Sequence, residues 1–502
     1  MTMTGSMTDI NPEGSPPATQ FFIENFALTL GGTEIISGSL TKAVGQWINF
    51  YRNINIQADG GAGSYVYQAF PDAQINLPGW PPEAKGIIFR YYLFRASAPL
   101  NGSTNEEIEK LYEQKLTNPK ELEIVGTIAP LYPDEEMISA PTGRLLVSNT
   151  PNIPTPEGTQ NNGGGKIALG PAVIHQKGNT LTADFSGTFP DYYQNGDNPK
   201  FDFGPVELVA VCGKQRVPIS AVDYANTRAG NARGWLFDFN LTEEIQTLLA
   251  DDATSLQLYS EKYGIVLNET DYYIASNQQA VYAEQYGSTT EFLNLGTAEP
   301  VTVSVYRRGN KVTAADGLTM KVWQYRSIPL QAPGDAVLIS SDFKPGETLE
   351  VDTDTSDNRL ITFTVNGADN PDNFPPQSYL DFMNPPYVTN APQISIRILP
   401  NDEDFSAYYV DPNIEEPVGN ESLTFDVVYE KVLRTYYLLY PSMNGVFELN
   451  DPAAVKSHAK KILERTEMAI WLSTKYMPRT RDLSESRRKL LRAWCLKVLA
   501  VE

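Results

Sequence analysis

With 502 residues, 41% hydrophobic and 20% charged, the chain has ordinary globular composition and exceeds one hydrophobic core, so two to four domains are expected. Its net charge of −22 argues against nucleic acid and anionic membranes as partners, because both select Lys/Arg-rich surfaces. Two cysteines, Cys212 and Cys495, do not make a disulfide framework and favour a reducing compartment.

Residues 1–19 are rich in Thr, Pro and Gly, lack the basic and apolar regions of a signal peptide, and read as a flexible tail. No run approaches the ~18 apolar residues that span a bilayer, so a cytoplasmic location is expected. Alternation begins at Gln20 with QFFIENFALTL and TEIISGSL and continues through QWINFYRNINIQA and GIIFRYYLFRA, which predicts a β-rich domain over 20–149. Within it, Ile108, Leu111, Tyr112 and Leu116 fall on one side of a predicted helix over 105–116. Residues 150–166, TPNIPTPEGTQNNGGGK, have linker composition.

A second β-rich domain is predicted over 167–298, with a short helix at 241–249. Over 299–370, PVTVSVYRRGNKV, LTMKVWQYRSIPL, ETLEVDTD and LITFTVNG alternate with period two at close spacing, the pattern of an immunoglobulin-like sandwich. A Pro-rich connection follows over 371–395. The predicted fold class is therefore mainly β, with several sandwich or barrel-like domains and a small C-terminal three-helix segment over 396–502.

That segment carries legible boundaries. Phe425, Val428, Tyr429, Val432, Tyr436 and Leu439 recur at helical spacing before Pro441. Asn450 or Asp451 followed by Pro452 marks a second helix start, and Ser484 a third, whose predicted buried set is Leu490, Leu491, Trp494 and Val498. Arg479, Arg481, Arg487, Arg488, Lys489, Arg492 and Lys497 gather there against the acidic trend. They read either as a solvated helix face that compensates the helix dipole or as a docking surface for an acidic partner.

Tests for chemistry return little. His175 and His458 stand three residues after Ala172 and Val455, so neither belongs to a Glu-x-x-His pair. GGGK at 163–166 is followed by Ile167 and fails the phosphate-loop pattern. VDTDTSDN at 351–358 opens like a calcium loop, but Asp357 replaces the required glycine and Phe363 the bidentate glutamate, so a turn between strands is expected. NDEDF at 401–405 reads as a turn or helix start rather than a metal site. No catalytic residue, metal ligand or cofactor-binding residue is assigned, and no cofactor is expected.

Three phrases of the last hundred residues, IRILPNDEDF (396–405), VVYEKVLRTYYLLYPSM (427–443) and YMPRTRDLS (476–484), resemble in that order a segment of the chromopyrrolate synthases, also called iminophenyl-pyruvate dimer synthases. DFSGTFP, FGPVELV and ISAVDYANTRAGNARGWLFDFNL resemble them more faintly, and 1–150 does not. In that family a β-rich part precedes a ferritin-like helical domain that holds the metal ligands. The resemblance implies that this chain corresponds to the β-rich, non-catalytic part, with no position onto which those ligands carry over. It implies a scaffold or partner subunit beside a separately encoded ferritin-like protein in amino-acid-derived specialised metabolism. Tyr476, Met477, Arg479, Arg481, Arg487, Arg488 and Arg492 are the partner-binding candidates, and charge reversal at Arg487, Arg488 and Arg492 is expected to weaken association without unfolding. The alternatives are a β-sandwich protein for carbohydrate or protein recognition, a toxin component or a particle subunit, and an enzyme with scattered carboxylates whose spacing no linear motif reveals. A homo-oligomer fits any of these.

Overall fold

The computed structural model describes residues 2–9, 19–39, 64–95, 122–148 (without 134 and 137–139), 153–154, 166–167, 169–189, 200–287, 300–327, 335–368, 375–377, 392–440 (without 402), 443 and 445–500. The predicted helix over 105–116 lies outside them, as do most of the linker over 150–166 and of the Pro-rich connection over 371–395. The described fold is mainly β, and its helices concentrate at the C-terminal end.

The first unit packs two sheets. Strands Thr2–Asp9, Thr19–Leu30, Thr33–Ser39 and Gln74–Ile75 form one; Ser64–Phe70, Gly86–Arg95 and Leu122–Leu131 form the other. Thr2–Asp9 pairs antiparallel with Thr19–Leu30, so this part of the predicted flexible tail is a strand. The pairing uses backbone groups, which composition does not advertise. Gly31 and Gly32, with φ of 59° and 84°, supply the double left-handed turn that lets the next strand fold straight back. Between the sheets, the rings of Phe26, Phe70 and Phe89 meet edge to face at centroid distances of 4.6–5.2 Å.

The second unit is one eight-stranded antiparallel sheet curled into a nearly closed barrel. Its order is Gln215–Ala221, Val206–Cys212, Thr254–Ser260, Gly264–Glu269, Arg144–Val147, Ala172–Lys177, Thr180–Asp184 and Leu236–Asn240. Thr254–Ser260 alternates buried and part-buried residues along its whole length, the period-two pattern of a strand with one face in the core. The predicted short helix is present as Glu243–Leu249, capped by the Thr242 hydroxyl, and it buries Ile245 and Leu249 in the barrel core.

The third unit is a two-layer sandwich. Tyr272–Ser276, Val303–Arg307 and Asn310–Val312 form a three-stranded sheet. Facing it, the five-stranded sheet runs Ala280–Glu284, Gln393–Leu399, Asn358–Val365, Met320–Ser327, Val337–Phe343, and its first pair is parallel. Val281, Val303, Val305, Val322, Ile361, Phe363 and Ile396 fill the space between. The sandwich therefore draws strands from both sides of the predicted 299–370 span. Sequence spacing marks strands such as Met320–Ser327 and Asn358–Val365 but not Ala280–Glu284 or Val337–Phe343, and ETLEVDTD, read as a strand, carries only a bridge at Thr348.

The units are tied by buried charge. Glu269 of the barrel, its side chain 1% exposed, accepts from Nε and a terminal nitrogen of Arg144 at 2.8 and 2.7 Å and from the Leu256 amide at 2.7 Å. Arg308, at the tip of the sandwich hairpin with φ of 50°, reaches across to the same carboxylate at 3.2 Å. Removing that acid takes the shared carboxylate from both guanidinium groups, leaving Arg308 with Asp271 and Arg144 with the Thr254 carbonyl. Glu269→Ala is expected to cost about 3–5 kcal/mol, measured as a lowered midpoint in chemical denaturation.

Candidate functional site

The C-terminal segment begins as predicted with a helix, Phe425–Val428, capped by the Thr424 hydroxyl. It passes through a π-helical turn at Tyr429–Leu433 and continues as Arg434–Leu439. Asp451 caps Pro452–Ser457, and after a break at His458 the helix resumes over Ala459–Arg465. The last helix is Glu485–Leu499. Val428, Val432, Leu433, Val455, Leu490, Leu491 and Trp494 form the common core, close to the predicted set; Val498 packs at its margin, part-buried.

YMPRTRDLS, one of the three phrases read from the sequence as a resemblance, is the join between sandwich and helices. Tyr476 is 1% exposed and packs with Ala280, Tyr282, Leu399 and Trp471, so sandwich and helical residues share one apolar cluster. The Tyr282 hydroxyl donates to the Thr480 carbonyl at 3.1 Å. Arg481, also 1% exposed, gives Nε to the Trp471 carbonyl at 3.0 Å and its terminal nitrogens to the Arg479 and Ser473 carbonyls at 2.8 and 2.9 Å. Its guanidinium lies 5.5 and 5.9 Å from the ring centres of Trp471 and Tyr476. Burial pulls its pKa down to about 10, which still leaves it charged at neutral pH. Arg481 takes a left-handed backbone, φ 53°, and the Met477–Pro478 peptide is cis. Asp482 then accepts from Thr480 Oγ1 at 2.6 Å and the Tyr436 hydroxyl at 3.1 Å, and its other oxygen is 4.0 Å from Arg397 of the sandwich.

The other two phrases serve the same join. In IRILPNDEDF, Ile396 and Ile398 enter the sandwich core and Phe405 the helical core. The acids read as a turn are one: Asp404 accepts from the Ser406 amide at 2.8 Å and hydroxyl at 3.0 Å, opening the turn Ser406–Tyr408. VDTDTSDN is likewise a bend before strand Asn358–Val365, with Asp357 clamped by Arg326 at 2.9 Å and by Arg359.

The seven partner-binding candidates do not share one surface. Tyr476, Arg481, Arg488 and Arg492 are buried; Arg487 and Met477 are part-buried and Arg479 is exposed. Arg492 binds Glu416 at 2.8 Å, Glu467 at 3.2 Å and the Leu463 carbonyl at 2.7 Å. Arg488 pairs with Glu485 at 2.8 Å and reaches the Thr466 carbonyl at 3.4 Å. Lys497 donates to the carbonyls of Asn420 and Leu423 at 2.6 and 3.0 Å. Neither sequence reading of this basic cluster survives as stated. Its charges are largely consumed inside the chain by acids and carbonyls distant in sequence, so reversal at Arg488 or Arg492 attacks folding first. Leu439, placed by its spacing in the repeating apolar set of the helix, is instead 63% exposed, and Leu438 and Val446, which sequence reading did not single out, are 63 and 69% exposed. A consecutive Leu-Leu inside a helical repeat signals core, and nothing local says that the helix end outruns its cover.

Ser484 stands at the predicted cap position but makes no capping bond; its Oγ is buried without a partner. The Glu485 amide is met instead by Glu284 from the sandwich, at 3.1 Å. Burial pushes the Glu284 carboxyl up to about 8. The Cys495 thiol is buried and its pKa raised to about 12, which leaves it inert. Among the described residues no group of three or more His, Cys, Asp or Glu is placed to hold a metal ion, and no helix is long and apolar enough to cross a membrane.

Comparison with known proteins gives a partial likeness. The chain is 31% identical over 102 residues to a dichlorochromopyrrolate synthase of Lentzea aerocolonigenes, a match that covers 20% of this chain and 9% of that protein. The match thus spans less than a tenth of the relative's length. No family model matches the chain, and no solved structure does.

The geometry separates surface arginines from structural ones. Arg487→Glu is expected to shift the melting temperature by no more than a degree or two, as surface changes stay within about 0.5 kcal/mol. Arg492→Glu, which sets an acid against Glu416 and Glu467, is expected to cost about 3 kcal/mol. Arg481→Lys keeps the charge but loses the fork, for a loss of about 2–3 kcal/mol. Thermal and urea unfolding of the three variants checks the ranking.

Proposed function

We propose that the chain is a non-catalytic scaffold or partner subunit for a separately encoded ferritin-like oxidoreductase of amino-acid-derived specialised metabolism, working in the cytoplasm. The observation that carries this reading is the 31% identity over 102 residues to a dichlorochromopyrrolate synthase. In this reading the chain corresponds to the β-rich part that precedes the ferritin-like domain. The strand order of the sandwich supports its immunoglobulin-like assignment: one chain crosses from Tyr272–Ser276 in the first sheet to Ala280–Glu284 in the second, where it runs parallel to the final strand.

The docking surface in this reading is the apolar tip Leu438, Leu439 and Val446 rather than the basic helix. Leu438 and Leu439 are adjacent at the helix end and Val446 follows within seven residues, and contiguous exposed aliphatic surface marks interaction sites. Met477, Arg479 and Arg487, the sequence-derived candidates not buried, would contribute only where the partner reaches them.

A second reading, assembly through a sheet edge, is favoured by one observation. Val337–Phe343 ends the five-stranded sheet, and Val337, Leu338 and Ile339 along it are 51, 44 and 36% exposed. Apolar edge strands pair with other strands unless blocked.

Affinity capture of the full chain from its native host separates the two. The first reading expects a helical, metal-containing protein in stoichiometric amount, lost with Leu438→Asp/Leu439→Asp while the melting temperature holds. A lone chain whose mass grows with concentration, and returns to monomer with Leu338→Lys, overturns the first reading in favour of the second.

A further inference from the structure

Glu284 is the last residue of the parallel edge strand Ala280–Glu284, and it points away from the sandwich core toward the start of the last helix. Tyr282, two residues earlier, lies on the same face and seats against Trp471 with ring centres 5.5 Å apart. One carboxyl oxygen, Oε1, accepts from the Glu485 amide; the other, Oε2, is closed off from solvent and has no hydrogen-bond partner. The helix thus takes its cap from another unit of the fold, through half a carboxyl group.

The charges around that group decide its state. From the last helix, Arg488 favours the anion, but its guanidinium is already committed to Glu485 and to the Thr466 carbonyl. The Glu485 carboxylate on the same turn opposes a second negative charge. From the turn before the helix, Tyr476 presents a buried phenol that stays neutral, its own pKa raised to about 12 by burial. The Glu485 amide at the helix start favours an anion as well. Burial opposes it and is the largest influence of all. An ionised carboxylate here would leave a charged oxygen closed off from solvent and without a protein donor, whereas the neutral acid leaves an uncharged group there.

We propose that Glu284 is a proton-operated latch between the sandwich and the last helix: with the carboxyl neutral the helix start is seated, and loss of the proton releases it. An ordinary glutamate in the unfolded chain ionises near ~4.3. The folded group holds its proton to about 8. Between those values the folded state carries a proton that the unfolded state has shed. The added stability is therefore full below ~4.3 and lost as pH rises to about 8, with the opening constant growing up to about tenfold per pH unit. The seat of Glu485–Leu499 loosens on the alkaline side of neutrality, while the core around Leu490 and Trp494 remains packed.

Hydrogen exchange of the full chain, followed by mass spectrometry and corrected for the intrinsic pH dependence of exchange, tests this. In the unmodified chain, protection of the amides over 484–490 is expected to fall at least tenfold between pH 6 and 9, while the barrel strand Thr254–Ser260 keeps its protection. In Glu284→Gln, which stays neutral, that fall is expected to vanish. Protection in the unmodified chain that does not change with pH, or a midpoint below 6, overturns the proposal; so does the same loss in Glu284→Gln. If the variant does not fold, the midpoint in the unmodified chain decides alone.

Discussion

The Arg481 guanidinium is the constraint on which the C-terminal third depends. A charged group with almost no exposure is tolerable only if each nitrogen finds an acceptor and the local field is favourable. Trp471, Ser473 and Arg479 supply the three carbonyls that receive its nitrogens, and two aromatic rings flank the cation. The arginine and the turn therefore satisfy each other. With the turn fixed, Thr480 meets Tyr282, Asp482 meets Tyr436 and lies near Arg397, and Glu485 is delivered to Glu284. A short loop thereby carries the contacts that hold the sandwich to the helices.

This arrangement gives the three family-like phrases a structural meaning. IRILP closes the sandwich sheet, the tyrosine-rich helix supplies the hydroxyl for Asp482, and YMPRTRDLS binds the two. The match to a dichlorochromopyrrolate synthase covers 20% of this chain and 9% of that protein. It is the reason the proposed role is that of a scaffold, and why its docking surface is sought where the helical segment is uncovered.

What was legible in the sequence followed the periodicity. Strands such as Val206–Cys212 and Met320–Ser327, the helix Glu243–Leu249 and the cap at Asp451 depend on neighbours within a few residues, and the sequence displays them directly. Long-range pairing was not legible. Ala280–Glu284 finds its parallel partner at Gln393–Leu399, and Thr2–Asp9 becomes a strand because Thr19–Leu30 offers it an edge. The basic cluster misled for the same reason. Arg488 and Arg492 look solvent-facing in a helix, but Glu416, Glu467 and the Thr466 and Leu463 carbonyls come from segments that close over them. Charge spacing along a helix reports which residues share a face, not what covers that face.

The contacts of the Arg481 turn make sandwich and helices one cooperative body. Native-state hydrogen exchange in graded urea tests it most directly, by comparing the amides of strand Ala280–Glu284 with those of the helix Glu485–Leu499 below pH 7. The account predicts that both open with the same free energy and the same urea dependence in the unmodified chain, and that Arg481→Lys splits them, the helix opening first. Independent opening of the helix in the unmodified chain, or coincident opening in Arg481→Lys, would contradict it.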